Sequence, residues 1–212
     1  MITEQEIHFF ISYPRFNEYL HQKNHNVKDA YQLYLTNIEL SEALYPVLSV
    51  LEISLRNAIH RQLSSYFNDP YWFKNKLPVE FQKAVKKAEQ NIRFQQKIIT
   101  PDRIVSELSF GFWNRLFNRH YAKLLWKPLR TIFIHLPKKQ RRRDTIDDSL
   151  YRIRTLRNRV YHYEPIFRNL HYLELVYKEI YSFLSWLHHN LPDVLKKTDR
   201  FEDVILFAKG IA

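Results

Sequence analysis

The sequence predicts an all-α protein, and three observations carry that expectation. Apolar residues recur at steps of three and four through most of the chain, while no segment alternates convincingly at period two. Glycine occurs only twice in 212 residues, against about 15 at average usage. That scarcity argues against turn-dense β architectures, P-loops and G-x-G-x-x-G dinucleotide folds. Finally, no low-complexity linker divides the chain. The expectation is therefore one helical unit over residues 1–212, with six or seven helices around a core large enough to need no staples.

Taken in order, residues 29–67 carry a continuous stripe of Leu44, Leu48, Leu51, Leu55, Ile59 and Leu63. Ser41 is a candidate N-cap there, Pro46 marks a kink or a late start, and Asn68-Asp69-Pro70 is a stop. Residues 78–99 form a second helix with Phe81, Val85, Ala88 and Ile92 on its apolar side and lysines around the rest. Thr100-Pro101 is an N-cap followed by proline at the first helical position. Phe110-Gly111-Phe112-Trp113 reads as a break followed by an aromatic-rich helix to about Trp126. Residues 137–143 form a basic loop, and 147–163 a helix presenting Leu150, Ile153, Leu156 and Val160, ended or bent by Pro165. Residues 170–191 close the set. The tail 192–212, with the apolar patch Val204-Ile205-Leu206-Phe207, is expected to dock on the core or on a partner.

Composition narrows the chemistry. Without cysteine there are no disulfides, thiolate nucleophiles, zinc–thiolate sites or iron–sulfur clusters. Lys and Arg number 33 against 22 Asp and Glu, a net charge of +11, which points to a polyanionic partner. The N-terminus lacks a basic n-region and an apolar h-region, and no run of about 18 apolar residues occurs, so a cytoplasmic protein with no membrane partner is expected. No cofactor and no metal is expected either. His188 and His189 are adjacent, so their rings diverge on a helix, and neither H-E-x-x-H nor a carboxylate-rich cluster is present.

The stretch most suggestive of chemistry is Arg154-Thr-Leu-Arg157-Asn158-Arg-Val-Tyr161-His162-Tyr-Glu164-Pro165. Cleavage of RNA through its own 2′-hydroxyl needs a base for that proton and a cation for the charge developing on phosphorus. Histidine exchanges protons near neutral pH, and arginine offers a permanently charged planar fork to phosphate oxygens. No metal is required, because the nucleophile belongs to the substrate. In an unbroken helix the five-residue step leaves Arg157 and His162 roughly 140° apart. Long arginine reach with a distortion near Pro165, or pairing with the same helix of a second protomer, could bring both into one cleft. On spacing alone a surface or core role is the commoner reading, because an arginine and a histidine five apart often occur by chance.

Glu52, Arg56 and His60 fall four apart on the first helix, with Asn57 beside Arg56. They form either an ordinary ion-pair ladder or a set in which Glu52 or Arg56 orients Arg157 or His162. Lys138, Lys139, Arg141, Arg142 and Arg143 form either a solvated charge run or an RNA-backbone contact. Phe110, Phe112, Trp113, Phe117, Tyr121 and Trp126 suit a core at helical spacing, or base stacking.

Three blocks in order carry a family resemblance: Leu51-Glu52-x-x-Leu55-Arg56-Asn57, then Phe110-Gly-Phe-Trp113-x-x-Leu-Phe117, then Arg154-x-Leu-Arg157-Asn158-Arg-Val-x-His162-x-Glu164-Pro165-Ile166. Over residues 10–190 the chain resembles the Abi-like proteins, bacterial abortive-infection proteins of the AbiD and AbiF type. It looks like a branch of the HEPN superfamily. The resemblance implies a HEPN-like helical bundle, dimeric, with the motif helices of two protomers facing each other. It also implies a toxin-like phage-defence endoribonuclease that works without metal and leaves a 2′,3′-cyclic phosphate. By the same resemblance Arg157 and His162 match the catalytic pair and Asn158 the polar residue between them. Glu52, Arg56, Asn57 and Glu164 match supporting positions. Tyr161 is bulkier than the position before the histidine leads one to expect, and either narrows the cleft or stacks on a base. A toxic nuclease needs restraint, so an antitoxin or regulatory partner belongs to that reading. Some superfamily members are not nucleases, and the alternative is a non-catalytic module that binds RNA or protein through the same face.

Overall fold

Helix α3 (Val27–Phe67) runs 41 residues, about 60 Å, and most of the chain packs around it. The computed structural model describes residues 3–211. Met1 and Ile2, where the N-terminal reading begins, and Ala212, at the end of the tail, lie outside the described residues. Among the described residues eleven α-helices and no strands occur, so the protein is all-α. Six helices are ten residues or longer, and the excess over the expected count comes from shorter pieces.

The start of α3 is set by Asn26, whose side chain accepts the Asp29 N–H at 3.1 Å. Ser41 is no cap; its hydroxyl donates to the Asn37 carbonyl 2.8 Å away inside the helix. Pro46 neither starts the helix nor ends it. A proline at an interior position removes one backbone bond and costs about 3 kcal/mol. Around it Ala43, Leu44, Val47 and Leu48 are all buried, with α2 (Tyr13–Gln22), α10 (Leu170–Leu187) and α11 (Phe201–Ile211) packed along α3. That burial, at roughly 1.5–3 kcal/mol for each large apolar side chain, outweighs the defect. The helix ends at Asn68, which adopts the left-handed conformation (φ 49°).

Two helices precede it, α1 (Glu4–Ile11) and α2 (Tyr13–Gln22). Thr3 and Glu6 close a capping box on α1, and proline opens α2. After α3 come α4 (Trp72–Asn75), α5 (Val79–Phe94), α6 (Pro101–Glu107), α7 (Phe110–Arg115) and α8 (Ala122–Leu129). Helix α5 stops short of residue 99 because its apolar face runs out: Phe94 and Ile98 both face solvent and Gln96 turns left-handed. The expected aromatic helix is two short ones. They are separated at Asn118, whose side chain accepts the His120 N–H and starts a 3-10 turn. Gly111 lies inside α7; the break precedes it, at extended Leu108 and Ser109.

Helix α9 (Arg143–Tyr161) begins four residues earlier than expected, and α10 is Leu170–Leu187. In the tail, α11 (Phe201–Ile211) packs on α3 with Phe201, Ile205 and Ala208 inward, while Leu206 and Phe207 face out. Asp199 anchors its start. The hydroxyls of Tyr177 (2.8 Å) and Tyr181 donate to its carboxylate, the Phe201 N–H donates to it at 3.0 Å, and the Phe201 ring stacks on Tyr177 at 4.4 Å.

Candidate functional site

Helix α9 carries Leu150, Ile153 and Leu156 into the core, and this fixes which way Arg157 faces. Its Nε lies 3.4 Å from Glu52 Oε2 on α3, within ion-pair range but without hydrogen-bond geometry. The guanidinium carbon sits 4.2 Å from the centroid of the Tyr161 ring, a cation–π contact. Both members of the pair are largely sheltered, at 24% and 17% side-chain exposure. The terminal amines of Arg157 make no hydrogen bond among the described residues, so the part of the fork that grips phosphate is unfilled. Burial pushes the Tyr161 phenol above its ordinary pKa, with Tyr45 adding to the shift and Arg157 opposing it. The ring is therefore neutral beside the cation. Tyr45, one helix away, lies 6.0 Å from it ring to ring, tilted by 34°.

His162 is the C-cap of α9, exposed, with its N–H donating to the Asn158 carbonyl at 2.9 Å. Asn158 is exposed as well, and neither side chain hydrogen-bonds to another described residue. Helical geometry ends at His162 (φ −99°, ψ 9°), and the chain turns left-handed at Tyr163 (φ 58°). Arg157 meets Glu52 and Tyr161, whereas the exposed side chains of His162 and Asn158 join no hydrogen bond or ion pair among the described residues.

The turn after His162 is held by a residue the motif blocks do not contain. Asn37 on α3, 4% exposed, donates to the Glu164 carbonyl at 3.3 Å and accepts the N–H groups of Ile166 (2.7 Å) and Phe167 (3.3 Å). Its sequence signal is a polar side chain in the apolar register Leu33, Asn37, Leu40, Leu44. Arg15 donates to the His162 carbonyl at 3.5 Å, Arg159 to that of Pro165, and the Glu164 carboxylate pairs with Arg159 at 3.5 Å.

Glu52, Arg56 and His60 share a stripe but make no ladder, because each reaches across to other elements and not to its neighbour on α3. Arg56 donates to the Ser106 carbonyl in α6 at 3.3 Å. His60 accepts the Trp72 indole N–H on Nδ1 at 3.1 Å, so its remaining proton is on Nε2, 3.8 Å from Asp102. Burial holds the His60 imidazole below its ordinary pKa, with Asp102 opposing. Asn57 lines a separate groove of about 610 Å³ with Arg61, Thr131 and His188.

In the basic cluster, Arg141 is committed to the carbonyls of Leu136 and Ile134, and Arg143 to the Phe117 carbonyl and Asp147. Arg142 pairs with Asp144, leaving Lys138 and Lys139 as exposed, mobile-stemmed charges. The aromatic set belongs to the core: Phe110, Phe112, Trp113, Phe117 and Tyr121 are all buried and Trp126 half-buried. Exposed rings near the motif include Tyr45, Tyr151 and Tyr163. Among the described residues no group of three or more His, Asp or Glu side chains is placed to hold a metal ion, and no helix is long and apolar enough to cross a membrane.

The comparisons with known proteins add one finding. A family model described as Abi-like protein matches residues 7–168, from α1 to the turn held by Asn37. No curated protein and no solved structure matched the chain.

Proposed function

The chain belongs to the Abi-like protein family, and from that premise and the geometry of α9 we propose that it is a metal-independent endoribonuclease of abortive infection, a phage-defence response. The observation that carries the reading is the state of Arg157: braced on one side by Glu52, on another by Tyr161, with its terminal amines unfilled. A guanidinium so placed is ready for a phosphodiester, and the bracing removes orientational freedom before the substrate arrives.

In this reading Arg157 stabilises the charge on the phosphorane. His162 removes the proton from the 2′-hydroxyl or delivers one to the leaving 5′-oxygen, and Asn158 binds a phosphate oxygen. Since no contact joins Arg157 to His162 among the described residues, the pair that acts together is completed across a homodimer in which two α9 helices meet. Lys138 and Lys139 draw in the RNA backbone, and an antitoxin or other regulatory partner restrains the activity.

The lack of any contact between Arg157 and His162 among the described residues also favours a second reading, in which one chain binds RNA or a protein without cutting. Turnover separates them. Single-stranded RNA incubated with the protein in excess chelator is expected to yield fragments ending in 2′,3′-cyclic phosphate. His162→Ala is expected to bind but not cut. Equal cleavage by the variant removes His162 from the chemistry, and a requirement for added metal rejects the mechanism.

A further inference from the structure

A groove of about 610 Å³, within the range of small-ligand sites, is lined in part by Tyr161, the ring that Arg157 contacts. Arg15, Tyr34, Ile38, Tyr45, Tyr161 and Tyr163 line it. Three of these leave large apolar surface open to water: Tyr163 is 74% exposed, Tyr45 55% and Ile38 46%. An open, ring-lined surface of this kind usually meets a partner.

We propose that the groove is a nucleobase subsite, taking one unpaired base of an RNA strand against Tyr45 and Tyr161 with Arg15 on the neighbouring phosphate. The inference rests on the RNA reading above and deepens it. Three features argue for a base as the occupant. Tyr161 is shared: it lines the groove and also stacks under the Arg157 guanidinium, so a strand whose phosphate meets Arg157 has its next base at the groove. The rings of Tyr45 and Tyr161 stand 6.0 Å apart at a tilt of 34° and form a wedge of π surface, and base–ring stacking is how single strands are held. Arg15 lines the groove and donates to the His162 carbonyl at 3.5 Å, which puts a cation among its rings. Tyr163, in its left-handed turn, adds a further exposed ring to the lining.

The test measures binding of a short, uncleavable 2′-O-methyl single strand, and of the same strand with abasic positions, by fluorescence anisotropy with the full chain. Tyr45→Ala is expected to weaken binding of the intact strand by about tenfold and to leave the abasic strand unaffected. Tyr45→Phe, which keeps the ring, is expected to bind as wild type. On cleavable RNA, Tyr45→Ala is expected to raise KM while kcat holds. The subsite is overturned if Tyr45→Ala binds the intact strand as wild type does, or loses as much on the abasic strand. It is also overturned if the variant converts a dimer to monomers in sedimentation, which would make the groove a contact between copies. Tyr45-dependent binding without any cleavage would sink the nuclease reading and keep the subsite. Cleavage with no Tyr45 effect would do the reverse.

Discussion

Asn37 Oδ1 accepts the backbone N–H of Ile166 at 2.7 Å, across 129 residues of sequence, inside a contact from which water is excluded. One carboxamide thereby satisfies three backbone groups of the turn that carries the chain away from His162.

Replacing Asn37 by alanine leaves two N–H groups and a carbonyl to find other partners. The expected loss is about 3 kcal/mol, read as a lowered denaturation midpoint. Amide exchange at Ile166 and Phe167 should accelerate more than exchange in the centre of α10.

Glu52 and Arg157 separate shape from charge. Glu52→Gln keeps the side-chain outline and removes the attraction that steadies the guanidinium. RNA cleavage is expected to fall by about ten- to a hundredfold with the fold intact by circular dichroism. Arg157→Lys should lose more, because an ammonium offers no planar fork and stacks less well on Tyr161.

His60 makes stability depend on pH in a known direction. Burial lowers its pKa in the folded protein, so on acidification the unfolded chain takes up the proton first. The stabilisation is complete above the ordinary imidazole value of about 6.5 and falls away as pH drops below it towards the lowered value. Urea midpoints measured from pH 8 to 5 should show a shallower acid decline in His60→Gln than in wild type.

Asp199 ties the tail to α10 through two tyrosine hydroxyls and the Phe201 N–H. Burial, together with the bond to Asp199, pushes the Tyr181 phenol up to about 12, so it remains a donor beyond the pH at which a free phenol ionises. Asp199→Ala is expected to cost about 2–3 kcal/mol and to speed proteolysis between α10 and α11, with cleavage at other loops unchanged.

The stripe from Leu44 to Leu63 was legible in the sequence because helical periodicity is local, and all six residues are buried. Helices α1 and α2 were not, since they are short and bury only one and three residues; no long periodic run announces them. Pro46 misled for a related reason: its local defect is visible in sequence, whereas the packing of α2, α10 and α11 that overrides it is long-range. The same limit applied to Glu52, Arg56 and His60. Spacing puts them on one line, but only the arrangement of α9, α6 and α4 sends each to a different partner. Tyr45 lay in no motif, and its importance appears only when α9 brings Tyr161 beside it.

The uninterrupted length of α3 has a further consequence. From Asn37 to Glu52 is about 22 Å along its axis and from Glu52 to His60 about 12 Å, so a single rod sets the phase of the turn clamp, the arginine brace and the indole acceptor. Adding or deleting one residue between them would swing everything downstream through about 100°. A surface loop absorbs such a change by bulging; this rod has no slack, so length variation there would scramble three anchor points at once.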